Sequence, residues 1–295
     1  MMLAVAGDSA AGKTTTTAGL VEALGPERCV SVSADDYHRF DRAERRNKPF
    51  TPLHPDCNYI EILEQHLQLL ATGQPILKPV YDHSTGRRVP PELVEPKDVI
   101  IVHGLLPLYS KLTRACFDVT VFLDPPEYIR RAWKIQRDTL TRGYTREQVA
   151  AEIASAEAES TRFIRPQRAH ADIVVRFAPI VTRDDPPDTP LSAELVLRPT
   201  IRQPDLTEVL QPDVARTIHL RLARDTDGRP VDTLHIHGYS TAEENAAAEK
   251  MAWEALGEPR RAAPECLGMV SPGRRSTPLA ITQMILLHHL LYGAR

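Results

Sequence analysis

The stretch Gly7-Asp8-Ser9-Ala10-Ala11-Gly12-Lys13-Thr14 follows the spacing G-x-x-x-x-G-K-[ST]. That pattern suits one task, the cradling of phosphate. Glycines let successive backbone amides turn inward around phosphate oxygens. A lysine at position 13 reaches the β- and γ-phosphates, and the Thr14 hydroxyl is placed to ligate Mg²⁺. The predicted contacts with a nucleoside triphosphate come from Gly7, Asp8, Ser9, Ala10, Ala11, Gly12, Lys13, Thr14 and Thr15. The flanks agree with this. Leu3–Ala6 reads as a buried strand before the loop, and Thr14–Leu24 as a helix after it. The positive end of that helix's dipole then faces the anion. A chance glycine-rich turn lacks such flanks.

Two further groups of residues could act on a bound triphosphate. Asp35-Asp36-Tyr37-His38-Arg39-Phe40-Asp41-Arg42 sets two acids before a histidine and two arginines. Phosphoryl transfer to an alcohol needs a base near the hydroxyl. Asp35 could be that base, with His38 and Arg42 holding a phosphorylated acceptor. The other reading of the segment is a solvated turn with helix caps. In Lys134-Ile135-Gln136-Arg137-Asp138, with Arg142 beyond, residues 134, 137 and 138 share one helical face and 142 follows one turn on. Such a face can neutralise a transferring phosphoryl group. Taken alone it reads more simply as a salt-bridged solvent face.

Elements must deliver these groups to one place. Residues 1–177 alternate short apolar runs with helical ones. Cys29–Ser33, Val99–Val102, Val119–Leu123 and Ile173–Val175 read as strands; Tyr59–Ala71, Pro125–Arg142 and Thr145–Ala158 read as helices, the second with proline in its first turn. That alternation predicts an α/β fold with a mainly parallel sheet flanked by helices. Ligands bind such sheets at the carboxyl ends of the strands, where Gly7, Asp35, His103 and Asp124 fall. After Phe177 the character changes. Pro179–Pro190 reads as an irregular loop. Glu194–Arg198, Thr217–Leu222 and Thr233–His237 read as antiparallel strands, and Thr241–Leu256 and Pro278–Leu291 as helices. The expected organisation is a core over 1–177 and an antiparallel strand-and-helix extension of it over 178–295.

Composition narrows the class. The chain has 295 residues, 42% hydrophobic and 25% charged, with a net charge of −3. These values fit a globular protein and argue against a general nucleic-acid-binding surface. Cys29, Cys57, Cys116 and Cys266 form no C-x-x-C pair, which fits a reducing compartment. Leu279–Leu291 is too short and too polar to span a bilayer. The expectation is a cytoplasmic protein with no nucleic-acid or membrane partner. His235 and His237 share one strand face and read as solvated; Arg260-Arg261 and Arg274-Arg275 read as loop charges.

The order of several motifs resembles the phosphoribulokinase/uridine kinase family. They are the phosphate loop, Asp35-Asp36-Tyr37-His38, Lys78-Pro79-Val80-Tyr81-Asp82-His83 with Thr85-Gly86, Trp133-Lys134-Ile135-Gln136-Arg137-Asp138, and Arg165-Pro166-Gln167-Arg168 through Asp172. The resemblance implies a P-loop kinase core. It also implies ATP and Mg²⁺ as cofactors, and phosphorylation of ribulose 5-phosphate to ribulose 1,5-bisphosphate. Asp35 matches the catalytic base and, with Thr14, a place for the metal. Lys134, Arg137 and Asp138 match catalytic positions; His38, Arg42, Tyr81, His83 and Arg142 match substrate contacts. The region around 142–164 matches a lid over ATP, and a homo-oligomer, most simply a dimer, is implied. A family member acting on uridine or another small alcohol is the nearest alternative.

Two departures from the family pattern stand out. His103-Gly104-Leu105 stands where Glu-Gly-Leu is usual, and an imidazole is a poor ligand for a hard cation. Asp35, Asp36 or Asp138 then takes over part of the metal shell, or the chain is a catalytically weak nucleotide-binding regulatory paralogue. Plant-type members carry a cysteine in the phosphate loop and another two residues before the first aspartate. Here those positions are Ala11 and Ser33, so that redox switch is not expected.

Overall fold

The computed structural model describes residues 1–293 except 181, 185, 187, 188, 208–216 and 257–261. Arg260 and Arg261, and part of the Pro179–Pro190 stretch, therefore lie outside the described residues. Two compact units form, residues 1–13 with 26–171, and residues 14–25 with 172–295.

In the first unit β1 (Met2–Gly7) runs into the phosphate loop and then α1 (Lys13–Leu24), whose body belongs to the second unit. β2 (Cys29–Ser33) ends in a 3₁₀ turn, Ala34–Tyr37, that carries both acids. Next come α2 (Arg42–Arg45), α3 (Ile60–Ala71), β3 (Ile76–Asp82), β4 (Arg87–Val94) and β5 (Val99–Gly104). The unit continues with α4 (Lys111–Arg114), β6 (Val119–Leu123), α5 (Glu127–Thr141) and α6 (Arg146–Glu159). Parallel pairing gives the order β2-β5-β1-β6. β1, β5 and β6 are mostly apolar because both faces are covered, and β1 and β6 are buried at every residue, whereas β2 sets Ser31 and Ser33 between its apolar residues. Leu63, Leu67 and Leu70 recur at helical spacing on α3 and pack on Val32, Ile100 and Val102. The packing fixes the carboxyl ends of β2 and β5 side by side, with Ser33 opposite His103.

The helix read over Pro125–Arg142 begins later, at Glu127, with Pro126 as its N-cap and Arg142 as its C-cap. β3 and β4 form an antiparallel hairpin of their own. Pro79, Pro90 and Pro91 interrupt both strands and hide them from a pattern search, yet proline is tolerated where a strand has no second neighbour.

The second unit holds β7 (Ile173–Ala178), β8 (Ser192–Leu197), β9 (Ile218–Arg224) and β10 (Pro230–Ile236), paired antiparallel in the order β7-β8-β10-β9. The Ile173 strand, grouped by sequence with the parallel core, thus runs antiparallel to β8. A direct return after a loop needs no crossover helix. α7 (Ala242–Ala255), a small hairpin of β11 (Met269–Ser271) and β12 (Arg274–Arg275), and α8 (Thr277–Tyr292) complete the unit. α8 is buried on nearly all sides. Its Gln283 donates to the Thr16 carbonyl at 2.9 Å and accepts the Gly268 amide at 2.7 Å. A Cβ on Gly19 would lie 2.5 Å from that glutamine, so the small residue lets α1 approach. Among the described residues no helix is long and apolar enough to cross a membrane.

Candidate active site

The phosphate loop is built by backbone conformations that most side chains resist. Gly12 has φ +95° and Ala10, a non-glycine, has φ +64°, which costs energy that the loop's surroundings must offset. A Cβ on Gly7 would approach the Leu123 carbonyl to 2.9 Å. Lys13 Nζ donates to the Gly7 and Asp8 carbonyls at 2.9 and 2.8 Å. Burial pushes its ammonium down from the usual lysine range, against the pull of Asp35 and Asp8. Asp8 is buried; its carboxylate accepts the Ser9 amide at 2.6 Å and lies 3.5 Å from Arg130. Arg130 also donates to the Ser9 carbonyl, at 3.0 Å. Ala11 is fully buried and its amide closes a turn on the Asp8 carbonyl. Thr14 and Thr15 are the second and third residues of α1.

The two adjacent acids have different neighbours. Asp36 is bound to the buried Lys78 and accepts the Tyr81 amide at 3.2 Å. Asp35 Oδ1 accepts the Leu105 amide at 2.8 Å, just beyond β5. Burial alone would raise the Asp35 pKa; Lys13, His38, the Leu105 amide and His83 outweigh it and hold the carboxyl below its usual range. It is an ionised acceptor at neutral pH.

Three aromatic rings gather beside Asp35. His38 packs edge-on against Tyr81 at 4.9 Å, and Tyr81 against His83 at 5.1 Å. His38 Nδ1 lies 2.7 Å from Asn58 Oδ1. Burial lowers the His38 pKa to about 4, so the ring is neutral at pH 7. Burial also lowers His83 and His103. Tyr81 Oη is buried without a hydrogen-bond partner. Such an atom is costly unless something else satisfies it. Arg42 opens α2, donates to the His83 carbonyl at 2.6 Å and stands over the Tyr144 ring at 5.6 Å. Gly86 makes this possible, since its φ is +73° and a Cβ there would strike Arg42 at 2.7 Å.

The α5 face is not a solvated one. Asp138 is fully buried and takes Lys134 at 2.7 Å, Arg137 at 2.8 Å and Arg142 at 3.4 Å. Hydrogen bonds from Arg137 and Lys134 overcome the burial penalty and hold Asp138 below the usual carboxylate range. Arg137 reaches back to Ser9 Oγ at 3.3 Å. The cations are thus held in place and partly neutralised by one buried carboxylate. Lys134 also meets Glu152 of α6, at 3.1 Å.

Gln167, which the sequence offered only within the motif Arg165-Pro166-Gln167-Arg168 and with no role of its own, donates to the Leu105 carbonyl and accepts the Leu108 amide, fixing the backbone that binds Asp35. Sequence reasoning missed Asn58, Glu159 and Ser160, because lone polar residues carry no periodic or motif signal. Elsewhere, His235 stacks on His219 at 4.7 Å and His237 Nε2 lies 3.1 Å from His219 Nδ1, so these rings contact one another on the sheet face rather than standing singly in water. Arg275 is bound to Glu249 at 2.6 Å.

Comparisons with known proteins follow the same division. A phosphoribulokinase from Synechocystis sp. is 37% identical over 202 residues, covering 68% of this chain and 61% of that protein. A uridine kinase from Chloroflexus aurantiacus is 30% identical over 180 residues, covering 59% of this chain and 85% of the other. The chain therefore spans about three fifths of the length of the phosphoribulokinase it matches. Among solved structures, phosphoribulokinase from Rhodobacter spheroides superposes with a TM-score of 0.59 at 19% identity, over 80% of this chain and 90% of that one, a likeness of fold. Residues 2–183, which carry the phosphate loop, both acids and the α5 cations, match the model of one family. The chain belongs to the Phosphoribulokinase / Uridine kinase family.

Proposed function

We propose that the protein transfers the γ-phosphoryl group of ATP to the 1-hydroxyl of ribulose 5-phosphate. The observation that carries this reading is Asp35, an ionised carboxylate near Lys13, His38 and His83, with Tyr81 packed against both histidines. Lys13 and the amides of residues 7–14 hold the triphosphate. The acceptor oxygen attacks the γ-phosphorus, its proton passes to Asp35, and the β–γ bridging bond breaks to release ADP. Lys134 and Arg137 face the charge on the transferring group, with Asp138 holding both in place. Tyr81 Oη donates to an acceptor oxygen, which removes its burial penalty. Arg42 and Arg142 take the 5-phosphate.

The donor set fits Mg²⁺. Asp36 and Asp138 are occupied by cations, which leaves Asp35 as an oxygen donor for a hard ion. Among the described residues no three His, Cys, Asp or Glu side chains surround a metal position. A Mg²⁺ ion held largely by substrate phosphates and water needs no such cage. When bound, it would neutralise charge on the β- and γ-phosphates.

The likeness to a uridine kinase supports a second reading, a nucleoside acceptor. One assay separates the two. Purified protein with Mg-ATP is offered ribulose 5-phosphate or uridine, and Arg42→Ala and Arg142→Ala are compared with the wild type. Turnover of ribulose 5-phosphate, with KM for it raised about tenfold or more by either change and KM for ATP little altered, supports the proposal. Faster turnover of uridine, unaffected by both changes, overturns it.

A further inference from the structure

Two neighbouring residues at the end of α6 reach in different directions. Successive side chains on a helix diverge by about 100°, and here the helix passes into a π-turn, Ser160–Ile164. Ser160 is buried and its hydroxyl donates to Asp8 Oδ2 in the phosphate loop. Glu159 turns the other way. Its carboxylate accepts the Thr51 amide at 3.1 and 3.0 Å and also the Thr51 hydroxyl. From Thr51 the contacts continue into the segment that holds the candidate acceptor groups. Thr51 Oγ1 accepts the Leu53 amide at 3.2 Å. Asn58 donates to the Pro52 carbonyl at 3.0 Å and pairs with His38 at 2.7 Å.

We propose that Glu159 and Ser160 are positioning residues that couple the nucleotide loop to the acceptor segment 51–58. This rests on the kinase reading above. Helix α6 does not need either contact to form, since both partners lie far away in sequence. A π-turn inside a helical run is rare and gathers at functional sites. The coupling has a chemical origin at Asp8, whose carboxylate shares the Ser9 amide and Arg130. A polyphosphate on the loop competes for those same donors. Asp8 then leans more heavily on Ser160, and the adjacent Glu159 draws Thr51 and, through Asn58, His38 into register. Binding of nucleotide thereby orders the acceptor side before the acceptor arrives. A ligand can shift a segment only through such a differential contact.

Amide hydrogen exchange of the whole chain, with and without Mg²⁺ and a non-hydrolysable ATP analogue, tests the coupling without using any acceptor. In the wild type the analogue should slow exchange at amides 8–13 and also at 51–58, the latter by about fivefold or more. In Ser160→Ala and in Glu159→Ala, protection at 8–13 should persist while the added protection at 51–58 is lost. A purely structural role would loosen 51–58 equally with and without the analogue, leaving their ratio unchanged, and that result overturns the proposal. So does wild-type protection confined to 8–13. Absence of protection at 8–13 in the wild type overturns the kinase reading itself and the coupling with it. Failure to turn over ribulose 5-phosphate overturns the acceptor assignment alone.

Discussion

Asp36 is ion-paired with the buried Lys78, whereas Asp35, one residue earlier, accepts the Leu105 amide. A 3₁₀ turn sets these successive side chains about 120° apart around its axis. Lys78 is also 3.0 Å from Glu92, so a strand pair of the β3–β4 hairpin anchors the turn. One acid secures the backbone, and the other faces Lys13 and the rings.

The division has a kinetic consequence. Asp35→Asn should leave nucleotide affinity near that of the wild type and lower kcat by about 10²–10⁴-fold, the usual cost of losing a general base. Asp36→Asn should act on stability, losing up to about 3 kcal/mol, with Glu92 still facing Lys78. Steady-state kinetics and chemical denaturation on the same two variants check both. A larger kcat loss in Asp36→Asn than in Asp35→Asn would reverse the assignment.

His103 ends β5 opposite Ser33, at the carboxyl edge where Asp35 also lies. Burial keeps its imidazole below the usual histidine range, so it is a neutral nitrogen donor. A hard cation prefers oxygen. His103→Glu should raise kcat/KM and lower the Mg²⁺ concentration needed for half-maximal rate. A Mg²⁺ titration of both proteins decides the matter: an unchanged or lower rate would show that the rest of the shell already compensates.

His38 makes stability fall with acid. Its folded pKa is about 4, against an ordinary value of 6.5. As pH drops below 6.5 the unfolded chain takes up a proton that the folded chain refuses until about pH 4. Stability from this group is therefore complete above 6.5 and is lost between 6.5 and 4, by about 3 kcal/mol. His38→Asn, which cannot titrate, should flatten the stability–pH slope in that window by about 1.4 kcal/mol per pH unit. His237 and His289, also lowered to about 4 by burial, keep the remaining slope positive. Denaturation curves from pH 4.5 to 7 measure this. Parallel slopes for the two proteins would mean that His38 titrates normally.

The sequence by itself determined the strand–loop–helix at Gly7–Thr14 and the parallel run of β1, β2, β5 and β6. These rest on local rules, since a phosphate loop needs its glycines in order and a doubly covered strand reads as a nearly continuous apolar run. The acidic pair and the α5 cations were also legible as types at a spacing. Their partners were not. That Asp36 belongs to Lys78, and that Ser160 and Glu159 reach Asp8 and Thr51, are contacts between residues distant along the chain, whereas the cations on Asp138 are its neighbours on one helical segment and only their burial was hidden. The β3–β4 hairpin was hidden by its prolines, and the pairing of β7 with β8 by an apolar run that suits either direction. Periodicity reports which face of an element is dry; only packing decides which buried charge meets which, because that depends on where the chain returns.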